Sequence, residues 1–338
     1  MPTVSVVVPT YNRADVLPRA MDSALGQTVA DLELVVVDDG STDDTQAIVE
    51  GYDDDRVRYV AHETNRGANV ARNTGIEAAD GEYVAFLDSD DEWKPTKLER
   101  QLERLEDAKG AESDGEEAET EDGEDWVAAY CEFETRLGGP TARFESLAAS
   151  LLARADEDHP TEGREELIPE ILADRLLPGA GSTLVVETEV AEAVGGFDED
   201  LDRFQDPEFV LRILEEGALA HVDEPLVVRH ETGSPSAETV EAADRQYLEK
   251  YEDAVDRAEE QGVDVRGRHD LILAKHFLAE GDLRSGASYL SSATLPARHA
   301  PGVAWAAAAG TRRRSDSRTA LASVAVGALL IGIAIGRR

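Results

Sequence analysis

The segment Phe86-Leu87-Asp88-Ser89-Asp90-Asp91 closes an apolar run with two carboxylates spaced Asp-x-Asp. That spacing can bracket a hard divalent cation and, through it, a diphosphate. In so acidic a chain the spacing alone carries little, because it recurs at Asp53/Asp55, Asp156/Asp158, Asp198/Asp200 and Asp200/Asp202. Asp88/Asp90 differs in following directly on a buried strand-like run. A second apolar run ends in Pro9-Thr10-Tyr11-Asn12-Arg13. Tyr11 at a strand end can flank a planar base or pack beneath its own loop, while the backbone after Pro9 and the Asn12 amide can meet polar edges. A dinucleotide-binding turn would need glycines at this place, so that route is excluded. A third run ends in Val37-Asp38-Asp39-Gly40-Ser41, where a carboxylate of Asp38 or Asp39 can accept hydrogen bonds from a pyrimidine imide or a ribose. Gly40 permits close approach, and Ser41 or Thr42 can N-cap the helix that follows.

These positions gain meaning from the elements that carry them. Continuous apolar runs at 4–8, 32–37, 57–61 and 83–87 predict strands buried on both faces, and 15–27, 42–52 and 67–79 predict the intervening helices. The expected fold class is α/β, a mostly parallel Rossmann-like sheet flanked by helices, with right-handed crossovers. Ligands on such sheets bind beyond the carboxyl ends of the strands, which selects the loops 9–13, 38–42 and 88–93. From 106 to 125 eleven of twenty residues are acidic, and this stretch reads as a solvated surface insertion dispensable for activity. Beyond it the pattern predicts strands at 126–133, 182–186 and 226–229, helices at 166–177, 188–194 and 207–216, and a helical appendage over 239–300.

Composition says where the chain works more than what it does. It has 338 residues, 72 acidic against 33 basic, and a formal net charge of −39. Five of the bases are Lys, so the balance fits a protein held soluble at very high salt, as in a halophilic cell. The charge excludes nucleic acid as a partner. The single cysteine, Cys131, excludes an intramolecular disulfide and a Cys-based zinc cluster, and its apolar surroundings read as a buried strand. No secretory signal is read at the start, which leaves the bulk of the chain expected in the cytoplasm. The eighteen uncharged residues 319–336, flanked by Arg312, Arg313, Arg314 and Arg318 before and Arg337 and Arg338 after, predict a transmembrane helix of about 27 Å with the preceding domain on the cytoplasmic side.

Five pieces taken together resemble one family. Ser5-Val-Val-Val-Pro-Thr-Tyr-Asn-Arg13, Val37-Asp-Asp-Gly-Ser41, Asn65-Arg-Gly67, Ala71-Arg-Asn73 and Phe86-Leu-Asp-Ser-Asp-Asp91 are similar in order and spacing to the inverting family 2 glycosyltransferases with the GT-A fold. The resemblance covers 1–108 well and 180–232 more loosely, and places a GT-A domain at 1–232. It implies a nucleotide-diphosphate sugar donor held by Pro9, Tyr11, Asn12, Asp38, Asp39, Arg72 and Asp88. Mg²⁺ or Mn²⁺ would sit on Asp88 and Asp90, with His230 as a third ligand. It implies a glycan or polyprenyl-linked acceptor and a cell-membrane location. Gly196-Phe-Asp-Glu199 followed by Arg203-Phe-Gln-Asp206 is similar to the family's base-bearing segment, so Asp206 is the implied general base, or else merely an N-cap. Gln205 stands where the family has Glu. The rival readings are a nucleotidyltransferase that builds nucleotide sugars, for which 9–12 lacks a basic phosphate loop, and an inactive binding scaffold, against which the four retained aspartates argue.

Overall fold

The structure is a computed structural model and describes residues 2–111, 125–136, 159–176, 181–201, 203–230, 235–293, 302–303 and 306–307. The chain divides into two compact units. One comprises Met1–Ser146, Pro160–Ile168 and Leu177–Thr232; the other comprises Leu147–His159, Pro169–Leu176 and Gly233–Arg338.

The first unit is built on an eight-stranded sheet of order β3-β2-β1-β4-β7-β6-β8-β5. Its strands are β1 (Val4–Thr10), β2 (Leu32–Asp38), β3 (Val57–Ala61), β4 (Tyr83–Phe86), β5 (Glu92–Trp93), β6 (Trp126–Arg136), β7 (Val185–Glu187) and β8 (Ala218–His230). Helices α1 (Leu17–Leu25), α2 (Thr45–Glu50) and α3 (Ala68–Ala78) make the crossovers, and α4 (Lys97–Ala111) follows β5. Every residue of β1, β2 and β4 is buried, as strands covered on both faces must be. The apolar runs therefore located these strands to within three residues.

Strand direction is a different matter. The half β3-β2-β1-β4 is parallel throughout, but β7 runs antiparallel to both β4 and β6, and β5 runs antiparallel to β8. The sheet is mixed, which corrects the mostly parallel expectation, because a buried apolar run carries no sign of its direction. β8 is thirteen residues long where only 226–229 was predicted. Its middle, His221-Val-Asp-Glu224, breaks the apolar pattern, and the register with β6 slips there from Cys131↔Val222 to Glu132↔Pro225, a bulge that absorbs the extra residues. The predicted strand 182–186 shrinks to β7.

The predicted helix 166–177 shrinks to the turn Glu165–Leu167 and α5 (Ile168–Leu172), ending before Asp174 at φ 52°. The acidic stretch does not begin as a loop, since α4 continues to Ala111. Ala108 on it is buried and Lys109 pairs with Glu187, so packing holds the first turn and a half of the stretch in the helix. Residues 112–124 and 319–336, the latter the predicted membrane segment, lie outside the described residues; among the described residues no helix is long and apolar enough to cross a membrane. Two further helices, α6 (Thr188–Ala193) and α7 (Gln205–Glu216), complete this unit.

At the amino end of the sheet Glu33 ties three strands together. It is 7 % exposed, accepts from Ser5 Oγ at 2.6 Å, from the Asp80 amide at 2.7 Å and from Arg58 Nη1 at 2.6 Å, while Ser5 Oγ also accepts from the Gly81 amide at 2.8 Å. Burial works to raise its pKa, but the bonds from Ser5 and Arg58 hold the carboxyl below its usual range.

The second unit carries α8 (Ala237–Lys250), α9 (Glu252–Glu260), α10 (Val265–Glu280) and α11 (Leu283–Ser292). Ser236, Asp264 and Asp282 cap three of them through side-chain oxygens. Buried His269 on α10 places Nδ1 2.5 Å from Asp244 and Nε2 2.7 Å from the Leu172 carbonyl, so both ring nitrogens face acceptors. Burial opposes the charge, yet the bond to the Asp244 carboxylate outweighs it and raises the pKa above that of a free imidazole.

Candidate functional site

A pocket of about 430 Å³ opens beyond the carboxyl ends of β1, β2 and β4, lined among others by Pro9, Tyr11, Asp39, Arg72, Asp88 and Asp90. Tyr11 stands at its mouth, 44 % exposed and the one large apolar side chain so exposed among the described residues. Asn12 and Asp38 are not in the lining. Asn12, at φ 52°, accepts from the Thr42 amide at 2.8 Å and clasps the two loops together. Asp38 accepts from the Ser41 amide at 2.8 Å and from Tyr59 Oη at 2.7 Å, which turns the chain out of β2. Asp39 does line the pocket, and its carboxylate also receives His62 Nδ1 at 2.7 Å and the amides of Arg66 at 2.9 Å and Gly67 at 2.8 Å. These bonds fix the loop 62–67 that enters α3. Gly40 sits at φ +79°, and a Cβ there would lie 2.7 Å from the Thr64 carbonyl carbon, so only glycine fits against that loop.

One face of α3 presents Asn69, Arg72 and Asn73, an i, i+3, i+4 set. Asn73 donates to the Phe197 carbonyl at 2.9 Å and accepts from its amide at 2.7 Å; Asn69 donates to the carbonyls of Asp198 at 2.8 Å and Leu201 at 2.7 Å. The helix thereby holds the Gly-Phe-Asp-Glu turn that leads into α7. Between the two asparagines the buried Arg72 guanidinium lies 5.3 Å from the Phe197 ring centroid and donates to Asp88 Oδ1 at 2.8 Å.

Asp206 lies in the first turn of α7, after Phe204 at φ 60°. Its Oδ1 is buried and has no hydrogen-bond partner among the described residues. Burial pushes its pKa up, Arg72 pulls it down and Asp88 pushes it up again. For Arg72 burial works against the charge, but Asp88 and Asp206 together keep the guanidinium firmly protonated. An orphaned carboxylate oxygen beside a buried cation can take a proton from an incoming hydroxyl.

Asp90 lies with Oδ2 3.7 Å from Arg13 Nη2, and its carbonyl accepts from Arg19. His230, at the end of β8, has Nε2 3.5 Å from Glu92, and its amide donates to Asp91 at 3.3 Å. Among the described residues no three His, Cys, Asp or Glu side chains form a ready metal cluster. Two hard carboxylates on one pocket wall still suit Mg²⁺ or Mn²⁺, which take few protein ligands when substrate phosphates supply the others.

Sequence reasoning overlooked four contributors. Asp91, 4 % exposed, receives Ser182 Oγ at 2.6 Å, and burial together with Asp88 pushes it up to about 6. Ser182 Oγ in turn accepts from the Asp88 amide at 3.1 Å. Asn69 and Asn73 are the other two, although their helical spacing about Arg72 was visible.

A family model described as Glycosyl transferase family 2 matches residues 5–145. Succinoglycan biosynthesis protein ExoO of Rhizobium meliloti (strain 1021) is 50% identical over 112 residues, 33% of this chain and 32% of that protein. UDP-Glc:alpha-D-GlcNAc-diphosphoundecaprenol beta-1,3-glucosyltransferase WfaP of Escherichia coli is 40% identical over 106 residues, 31% of this chain and 42% of that one. This chain thus spans less than half the length of either relative. Among solved structures, S. aureus TarS 1-349 in complex with UDP-GlcNAc superposes with a TM-score of 0.54 at 17% identity, covering 97% of this chain and 89% of that one, a likeness of fold.

Proposed function

We infer that this chain, whose residues 5–145 are a glycosyl transferase family 2 domain, moves a sugar with inversion from a nucleotide diphosphate to an acceptor hydroxyl. The observation that carries the reading is the placement of Arg72. It is buried beside Asp88 on the pocket wall and Asp206, whose Oδ1 has no hydrogen-bond partner among the described residues. The acceptor oxygen forms its bond to the anomeric carbon from the side opposite the diphosphate, the bond from that carbon to the diphosphate oxygen breaks, and Asp206 takes the hydroxyl proton. A raised pKa makes Asp206 a stronger base once ionised, and Arg72 keeps that ionised form accessible. Tyr11 and Asp39 hold the nucleotide end. Asp88 and Asp90 would hold Mg²⁺ or Mn²⁺, which when bound offsets charge on the departing diphosphate.

WfaP, by its name, acts on a diphosphoundecaprenol-linked sugar, which favours a polyprenyl-linked or other glycan acceptor at the cytoplasmic face of the cell membrane. The sequence 319–336 supports anchorage there, and the Lys-poor acidity supports work at high salt; recovery of the protein in a carbonate-washed membrane pellet checks the anchor. The function itself is tested by a thermal-shift screen of nucleotide sugars with Mn²⁺ in molar KCl, followed by transfer assays with the stabilising donor. A donor at a hundred times its dissociation constant stabilises the fold by about 2.7 kcal/mol. A protein that no nucleotide sugar stabilises, and that transfers from none, defeats the reading.

A further inference from the structure

Just before β7 the chain runs through Gly181, Ser182, Thr183 and Leu184, ahead of the first residue that pairs with β4 and β6. Three successive carbonyls of this segment each receive a side-chain donor from the start of α4 or from β5. Trp93 Nε1 donates to Ser182 at 2.7 Å, Gln101 Nε2 to Thr183 at 2.8 Å and Lys97 Nζ reaches Leu184 at 3.5 Å. Satisfying orphan carbonyls is ordinary, but doing so with a lysine is not. Lys97 is 0 % exposed, and a buried ammonium is costly unless paired. Among the described residues it forms no ion pair with a carboxylate, burial lowers its pKa to about 7, and its amino nitrogen sits 3.9 Å from the centroid of the Trp93 ring.

When protonated, that nitrogen on the face of the indole draws electron density toward itself and makes the indole N–H a stronger donor. That N–H grips the Ser182 carbonyl. The Ser182 hydroxyl bridges the Asp88 amide and the Asp91 carboxylate, and the adjoining Gly181 bonds to Asp206 through its backbone. Gly181 also lies so close to Asp88 that a Cβ would come 2.6 Å from its Oδ2. Both carboxylates that flank Arg72 are therefore placed by one short segment.

We propose that Lys97, acting through Trp93, and Ser182 are positioning residues that fix the spacing of Asp88 and Asp206 for the transfer step. The proposal rests on the glycosyltransferase reading. A purely structural lysine predicts that its removal alters stability and leaves turnover alone. A positioning lysine predicts that Lys97→Met, which removes a buried amino group at nearly constant volume, leaves the melting temperature at or above wild type while kcat falls about tenfold and donor KM stays within about twofold, the signature of an interaction used in the transition state.

The Trp93 indole ¹H–¹⁵N resonance, assigned by its loss in Trp93→Phe, should move upfield in Lys97→Met. Ser182→Ala should lower kcat in the same way, and Ser182→Thr, which keeps the hydroxyl, should restore it. Gln101→Leu serves as the control: its donors go to the Thr183 and Ala129 carbonyls, so it should lose stability and keep kcat. An active wild type with unchanged kcat in Lys97→Met or Ser182→Ala, or an unmoved indole resonance, overturns the proposal alone. A wild type that turns over no nucleotide sugar removes the reading beneath it and the proposal with it.

Discussion

Arg72→Met replaces the cation between two carboxylates with an apolar side chain of similar reach. Arg72 and Asp88 meet at 2.8 Å, and at a charge separation of about 4 Å with an effective dielectric of about 20 their attraction is about 4 kcal/mol. Asp88 keeps 31 % of its side-chain surface in solvent, so screening reduces the stability lost to roughly 2–3 kcal/mol. At about 2–4 °C per kcal/mol for a unit of this size, melting should fall by roughly 4–12 °C.

The functional consequence has a definite sign. Arg72 lowers the pKa of Asp206 and Asp88 raises it. Without the arginine the base holds its proton to higher pH, and the acid limb of kcat/KM for transfer moves toward alkaline pH. Asp88→Asn removes the opposing charge and should move the same limb toward acid, whatever it does to the maximal rate. Arg72→Lys, which keeps the charge, should lie between wild type and Arg72→Met. The assay is kcat/KM against pH at saturating metal and fixed ionic strength, which reports the free enzyme. A limb that stays put in Arg72→Met, or shifts toward acid, would refute the coupling on which the base assignment rests.

Asp206→Asn should abolish transfer, by a factor of about 10² or more, with donor binding retained; near neutral pH it should also raise the melting temperature. The sign follows from linkage: a carboxyl raised in the folded state contributes stability below its unfolded pKa that is lost as pH rises through the folded value, so removing the ionised form relieves that loss. Asp90→Ala should abolish the dependence of activity on added Mg²⁺ or Mn²⁺, and an unchanged metal titration counts against the ligand. Gly40→Ala should weaken donor binding and cost stability, because its Cβ meets the backbone of Thr64 and Asn65 at a positive φ. The raised pKa of His269 makes its contribution fully present below the unfolded value and lost as pH rises through the folded one. Chemical denaturation across pH 6 to 9 should therefore show the helical unit weakening upward, and His269→Gln should flatten that slope.

The sequence located this site better than it described it. The runs 4–8, 32–37 and 83–87 announced β1, β2 and β4 because strands buried on both faces leave no polar alternation, and their ends pointed at Tyr11, Asp39 and Asp88. Direction and pairing were not legible, because the composition of β7 says nothing about running antiparallel to β4. Asp38 and Asp39 are neighbours of one type, and nothing local told that the first would turn back to Ser41 and Tyr59 while the second reached the pocket. His230 was offered as a metal ligand by resemblance; its amide bonds to Asp91 and its ring lies 3.5 Å from Glu92, contacts that no local pattern announced. Ser182 stayed hidden because its role depends on donors from residues 93–101, nearly ninety positions earlier in the chain.

The Glu33 cluster lies at the opposite end of the sheet from every residue discussed as chemistry. By tying Ser5 of β1, Arg58 of β3 and the Asp80–Gly81 approach to β4 to one carboxylate of β2, it pins strand register without help from the loops that meet ligand. Insertions and substitutions in 10–13, 39–44 or 62–67 can then be tried without risking a slipped sheet. A library aimed at new donors should randomise that rim outside Asp39 and Gly40 and leave Ser5, Glu33, Arg58 and Gly81 untouched, since the freedom to evolve at one end is underwritten by rigidity at the other.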